Sequence, residues 1–196
     1  MNIDDLKEHP EFCMPNIQLN MFARPEPRQS EPRLRNTPAI KNCQWEWYTP
    51  PQLIDAARNV LGRIDLDPAS SIQANRTVLA EIIYTMADDG LHQDWPSGSR
   101  VWCNPPVAAS EQRPFIERCV AHDGPTLTLT PATASRTTEL ILSSAQSICW
   151  IRSIKGWYGP HATSDLLPMQ QMIMVGGWRI NAAAFATHFG HLGVIR

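Results

Sequence analysis

"RVWCNPPVAAS", residues 100–110, is the most informative stretch of this 196-residue chain. Strand-forming residues run into Asn104, and the two prolines behind it remove two backbone donors and fix two φ angles. The strand must therefore stop with Asn104 in a stiff, extended pose, presenting a carboxamide at its carboxyl end. In an open α/β sheet that end is where ligands bind.

The segments around it have the alternation such a sheet needs. "WEWYTPPQLIDAARNVLG" places Thr49 as a cap and Pro50 in a first turn, with Leu53, Ile54, Ala57, Val60 and Leu61 at helical spacing and Gly62 as a stop. A short strand, "RIDLDPA", follows. "TVLAEIIYT" fits helix or strand equally by periodicity. Beyond "RVWCN", the chain reads as helix ("RPFIERCVAH"), strand ("TLTLT"), helix ("TTELILSSA"), two strands ("SICWIRSI", "QQMIMVG") and a last helix ("AAAFATHF"). This order predicts an α/β domain over 44–196 with a mostly parallel sheet covered on both faces.

Composition narrows the function classes. With 43% hydrophobic residues the chain can build one substantial core. Five cysteines with no CxxC pair argue against a disulfide framework and against structural zinc, and fit a reducing cytoplasm. His188 and His191 have no third ligand near them in sequence, so no metal is expected. No apolar run is long enough to span a bilayer, and no signal peptide is read at the N-terminus. A net charge of −2 requires any nucleic-acid contact to come from a local basic face. Residues 1–43 hold six prolines and charges of both signs, which reads as a Pro-rich arm that is disordered or wraps a protein partner.

The chemistry of Asn104 is specific in kind. A carboxamide oxygen and the rigid carbonyl of Pro105 can both accept hydrogen bonds from one exocyclic amino group, which aims its lone pair at an electrophile without a strong base. Methyl transfer to an amino nitrogen is the reaction this suggests. The tripeptide alone leaves a DNA base, an RNA base and a protein glutamine amide open as acceptors.

From about Trp45 to near the C-terminus the chain resembles the phage-type DNA N-6-adenine methyltransferase family. The matching stretches occur in family order: "WYTPPQLIDAA", "LDPASSIQANR", "DDGLHQDW", "VWCNPP", "LTPATASRT", "IRSIKG" and "QMIMV". The resemblance implies a Rossmann-like class I sheet, S-adenosylmethionine as cofactor, adenine N6 in DNA as target, and a phage or prophage protein working in the bacterial cytoplasm. It also implies roles. Thr49 and Pro50 match the motif holding the methionine end of the cofactor, and Asp67, Pro68 and Ala69 the turn beside it. Asp89 and Asp94 match positions for its ribose or adenine, and Asn104, Pro105 and Pro106 the catalytic motif.

Two positions depart from the family. Val107 stands where an aromatic residue normally ends the catalytic motif, and a base stacked on such a ring gains about 1–3 kcal/mol. In "KGWYG", Trp157 or Tyr158 is the candidate to supply that face to the substrate. The departures also motivate an alternative: a decayed methyltransferase fold acting as a binding or host-interfering protein.

Overall fold

The computed structural model describes residues 47–152, 154–158 and 173–196. All of them fall in one compact unit, 40–196. The arm expected over 1–43, together with Trp45, lies outside the described residues.

Seven strands form one sheet: β1 (Leu66–Asp67), β2 (Ile82–Ile83), β3 (Val101–Cys103), β4 (Thr126–Pro131), β5 (Ser147–Ile151), β6 (Ile173–Trp178) and β7 (Gly193–Ile195), in the order β2-β1-β3-β4-β6-β5-β7. Five helices accompany them: α1 (Pro51–Leu61), α2 (Ile72–Val78), α3 (Ala109–Ala121), α4 (Arg136–Ser144) and α5 (Ala182–Phe189). The chain thus has an α/β, Rossmann-like sheet with helices on both faces.

The expectation of a mostly parallel sheet is corrected. β2, β1, β3 and β4 pair in parallel, whereas β6 inserts antiparallel between β4 and β5, and β7 adds antiparallel to the β5 edge. The cause is visible in the sequence. No helical pattern separates "SICWIRSI" from "QQMIMVG", and a parallel neighbour needs a crossover that usually carries a helix.

Local sequence explains the element ends. Helix α1 starts at Pro51 because Pro50, at φ −55°, is the N-cap; Thr49 does not cap it, contrary to expectation. Gly62 stops it at φ +83°, a conformation that favours glycine. The ambiguous "TVLAEIIYT" is both structures in turn: α2 ends at Val78, Leu79 turns through φ +55°, and β2 begins at Ile82. Helix α3 begins four residues before the predicted "RPFIERCVAH" and runs through Pro114, which is exposed. The carbonyl of Ser110, deprived of the proline's N–H, can then turn to water.

Strand alternation divides the core between the two faces. Trp102, Leu127 and Leu129 meet Leu53 and Ile54 of α1 and Phe185 and Phe189 of α5. On the other face Val101 and Cys103 pack with Phe115 and Cys119 of α3, while Ile116 and Ile141 join Ile148 and Met174. Each fully buried Leu, Ile or Phe contributes about 1.5–3 kcal/mol, so these layers fix where the strand ends lie.

Candidate active site

The chain leaves β1 toward β2 on one side, and β3 then pairs with β1 on the other. A crevice opens outside the carboxyl ends of adjacent strands where the winding direction reverses in this way. Register keeps those ends together: Leu66 pairs with Val101, and Asp65 is tied to Arg100 by its backbone N–H at 2.9 Å and its Nε at 3.0 Å. Asp67 therefore ends β1 beside the strand whose exit is Asn104.

A cavity of about 900 Å³ occupies this place. Asp67, Pro68, Ala69, Asp89, Asn104, Pro105, Pro106, Val107, Thr49 and Trp157 all line it. Pro50, Asp94 and Tyr158 do not. Pro50 caps α1. Asp94 is exposed, and its main-chain oxygen accepts from the Tyr84 hydroxyl at 2.7 Å. The hydroxyls of Tyr158 and Thr77 lie 2.6 Å apart.

Asn104 is half-buried, and its Nδ2 donates to Thr49 Oγ1 at 3.3 Å. Thr49 is itself buried. With the amide nitrogen engaged there, Oδ1 is left as the acceptor for whatever enters the cavity. Pro105 is buried, while Pro106 and Val107 are exposed.

Asp67 is 2% exposed, and its Oδ1 accepts from the Ala69 N–H at 3.3 Å. Burial pushes its carboxyl up to about 7, against the downward pull of the Ser70 side chain and the Ala69 N–H. Ser70 Oγ is buried without a well-formed hydrogen bond. Opposite this turn, the loop after β2 closes in. Gly90 approaches so closely that a Cβ there would lie 1.9 Å from the Pro68 carbonyl oxygen. The loop is held from outside: Trp95 Nε1 donates to the Gly90 carbonyl at 2.9 Å, and Arg118 reaches the carbonyls of Leu91 and Gln93 while stacking on Trp95. In "DDG", Asp88 makes the turn with Thr85, whereas Asp89, at φ +54° and 2.8 Å from His92 Nδ1, faces the cavity.

Charge at the site has one sign. Asp67, Asp89 and Glu111 are the ionisable carboxylates among the described lining residues, and none of those residues is Lys, Arg or His. Such a cavity admits a cation or a neutral ring and opposes a phosphate. S-adenosylmethionine, with its sulfonium and ammonium, fits this donor set. The buried Asp67 and the space that glycine leaves at position 90 fit it as well.

The strand-like alternation of Trp45 and Trp47 offers both as flanks for a cofactor or a base, with packing as the commoner explanation, and Trp47 lines the cavity; sequence reasoning does not place Tyr48, Gly90 and Glu111 there, although all three line it. Trp47 carries a signal, two residues before Thr49 in an extended segment. Glu111 carries none, because the helical pattern of α3 begins after it.

A Rossmann-like sheet whose switch-point cavity is acidic and bordered by an Asn-Pro-Pro turn defines a methyltransferase fold. The model of the DNA N-6-adenine-methyltransferase (Dam) family matches residues 36–164, and the chain belongs to this family. No curated protein matches the chain. Among the described residues no helix is long and apolar enough to cross a membrane.

Proposed function

We propose that this protein transfers the methyl group of S-adenosylmethionine to adenine N6 in DNA, with Asn104 as the residue that holds the amino group. The observation that carries this reading is the Asn104 carboxamide, fixed through Thr49 and opening onto the same acidic cavity as the buried Asp67. When bound, S-adenosylmethionine supplies an electrophilic methyl group. Asp67, Pro68, Ala69 and Asp89 would hold it, and Asp67 ionises in the presence of its positive charge.

The chain's own residues do the rest. A target adenine leaves the helical stack, because the reacting nitrogen is unreachable inside a duplex. Its phosphates stay outside, since three carboxylates line the cavity, and only the neutral base enters. Asn104 Oδ1 and the Pro105 carbonyl accept hydrogen bonds from the two N6–H groups, which localises the lone pair and directs it. Pro105 and Pro106 keep both acceptors from relaxing toward other partners. A proton is released from N6 as the bond forms, and solvent at the exposed Pro106 and Val107 lip takes it.

The free, buried Cys103, Cys119 and Cys149 are consistent with a reducing bacterial cytoplasm, and with a phage or prophage origin the host chromosome and the phage's own DNA are both available substrates. Incorporation of labelled methyl groups into unmethylated DNA is the test. Asn104→Ala should lower the rate by about 10²–10³-fold, the scale for removing one preorganised group at the reacting atom. Equal incorporation by variant and wild type ends the reading.

Val107 favours a second reading. It is 54% exposed and offers no ring, as expected for a fold that binds without turnover. Calorimetry with S-adenosylmethionine separates the two: a decayed site should bind it weakly or not at all, whereas an active one should bind it and be stabilised.

A further inference from the structure

We propose that Trp47 provides the aromatic face on which the target adenine stacks, in place of the residue after the Asn-Pro-Pro turn; this rests on the reading of Asn104 as the amino-group acceptor. Four observations converge on it. The first is the missing ring at position 107, where Val107 stands exposed at the cavity lip.

The second is the direction of the 47–49 segment. Residues two apart in extended chain fall on the same side, and Thr49 reaches Asn104 from that side. Trp47 therefore faces the cavity on the side where Asn104 would hold the base, and it lines that cavity. Tyr48 borders the cavity as well, but its ring is taken up by Tyr158, 5.1 Å away between centroids.

The third is exposure. Trp157, at 5%, belongs to the core and has little face to offer, and the Tyr158 hydroxyl is engaged with Thr77. Trp47 is only half-buried, packed against the same core cluster. Among the described residues it is the indole on this wall with surface to spare.

The fourth is rigidity. The Tyr48 N–H donates to the Tyr158 carbonyl at 2.7 Å, and Gln52 Nε2 donates to the Lys155 carbonyl at 3.0 Å. A ring on a segment fastened at both sides loses little ordering entropy when a base arrives.

The test measures binding rather than turnover. The full chain, saturated with S-adenosylhomocysteine, is titrated with a labelled adenine-rich single-stranded oligonucleotide and with its counterpart in which every adenine is an abasic site. Wild type should prefer the adenine strand by about tenfold or more, the scale of one base stacked on an aromatic ring. Trp47→Leu, which keeps apolar bulk, should bring that ratio close to one, and Trp47→Phe should keep most of it. Val107→Tyr should change the ratio by less than about threefold.

An undiminished ratio in Trp47→Leu overturns the proposal, as does a tenfold gain from Val107→Tyr alone. Loss of S-adenosylhomocysteine binding in Trp47→Leu would make Trp47 a structural residue and would overturn it equally. None of these outcomes touches Asn104, whose role is judged by methyl incorporation.

Discussion

The cavity has two kinds of wall, and they are built by different means. One is made of strand exits: Asp67–Ala69 after β1 and Asn104–Val107 after β3, neighbours because the strands pair. The other is a ribbon in which residues 47–52 are fastened to 154–158, more than a hundred positions away. The strand exits carry polar groups in fixed positions and suit bond-making. The ribbon carries rings and suits recognition. A protein can therefore lose the aromatic residue from the first wall and keep a stacking face on the second.

The largest effect is expected at Asp67. Burial raises its carboxyl from 3.8 to about 7, so the folded protein holds a proton that the unfolded chain releases above about pH 4. Relative to the unfolded state, this group is without cost below that pH, and its cost grows as pH rises to about 7. Above pH 7 the full penalty is on the order of 4 kcal/mol. Asp67→Asn should remove most of it, so the variant's gain in unfolding free energy in urea should be large at pH 8 and near zero at pH 4. Calorimetry should show the opposite for function, with S-adenosylmethionine affinity falling by a hundredfold or more. In wild type that affinity should weaken as pH drops below 7. A flat stability difference across pH would refute the buried carboxylate.

Gly90 tests the same wall through shape. Alanine there would put a Cβ 1.9 Å from a main-chain oxygen of the Pro68 turn, and backbone cannot rotate out of the way. The loop must back off at a cost of about 1–3 kcal/mol, and the cofactor side of the cavity should loosen with it. Urea unfolding and calorimetry report the two parts separately. Unchanged values for both would mean that the loop does not press on the turn.

How much of the molecule is legible in its sequence follows the same division. Asn104, Asp67 and the helical stripe of α1 are readable because each is a local pattern: a proline pair, an Asp-Pro turn, apolar residues at helical spacing. The antiparallel insertion of β6 is half-readable, in the missing helix before it. Strand β7 escapes notice because "GVI" at a sheet edge is too short for any periodicity. Motif order puts Tyr158 and Asp94 near the cavity, yet their partners, Thr77 and Tyr84, are set by packing that no motif encodes. Trp47 is half-readable: alternation with Trp45 offers it as a flank or as packing, and the choice depends on the Tyr48–Tyr158 bridge, which no local pattern encodes.

Thr49 sits where the two walls meet, and the smallest expected effect is the most discriminating. Motif resemblance gives Thr49 to the cofactor, whereas the structure pairs its hydroxyl with Asn104. Thr49→Val keeps the shape and removes the hydroxyl, leaving Asn104 Nδ2 without its acceptor at a cost of about 1 kcal/mol. If the hydroxyl serves Asn104, kcat should fall about fivefold with the KM for S-adenosylmethionine unchanged, and Thr49→Ser should restore it. If it serves the cofactor, KM should rise while kcat holds. The ratio of those two changes assigns Thr49 to one wall or the other, because a positioning hydrogen bond acts on the reacting amino group and a binding one acts before it arrives.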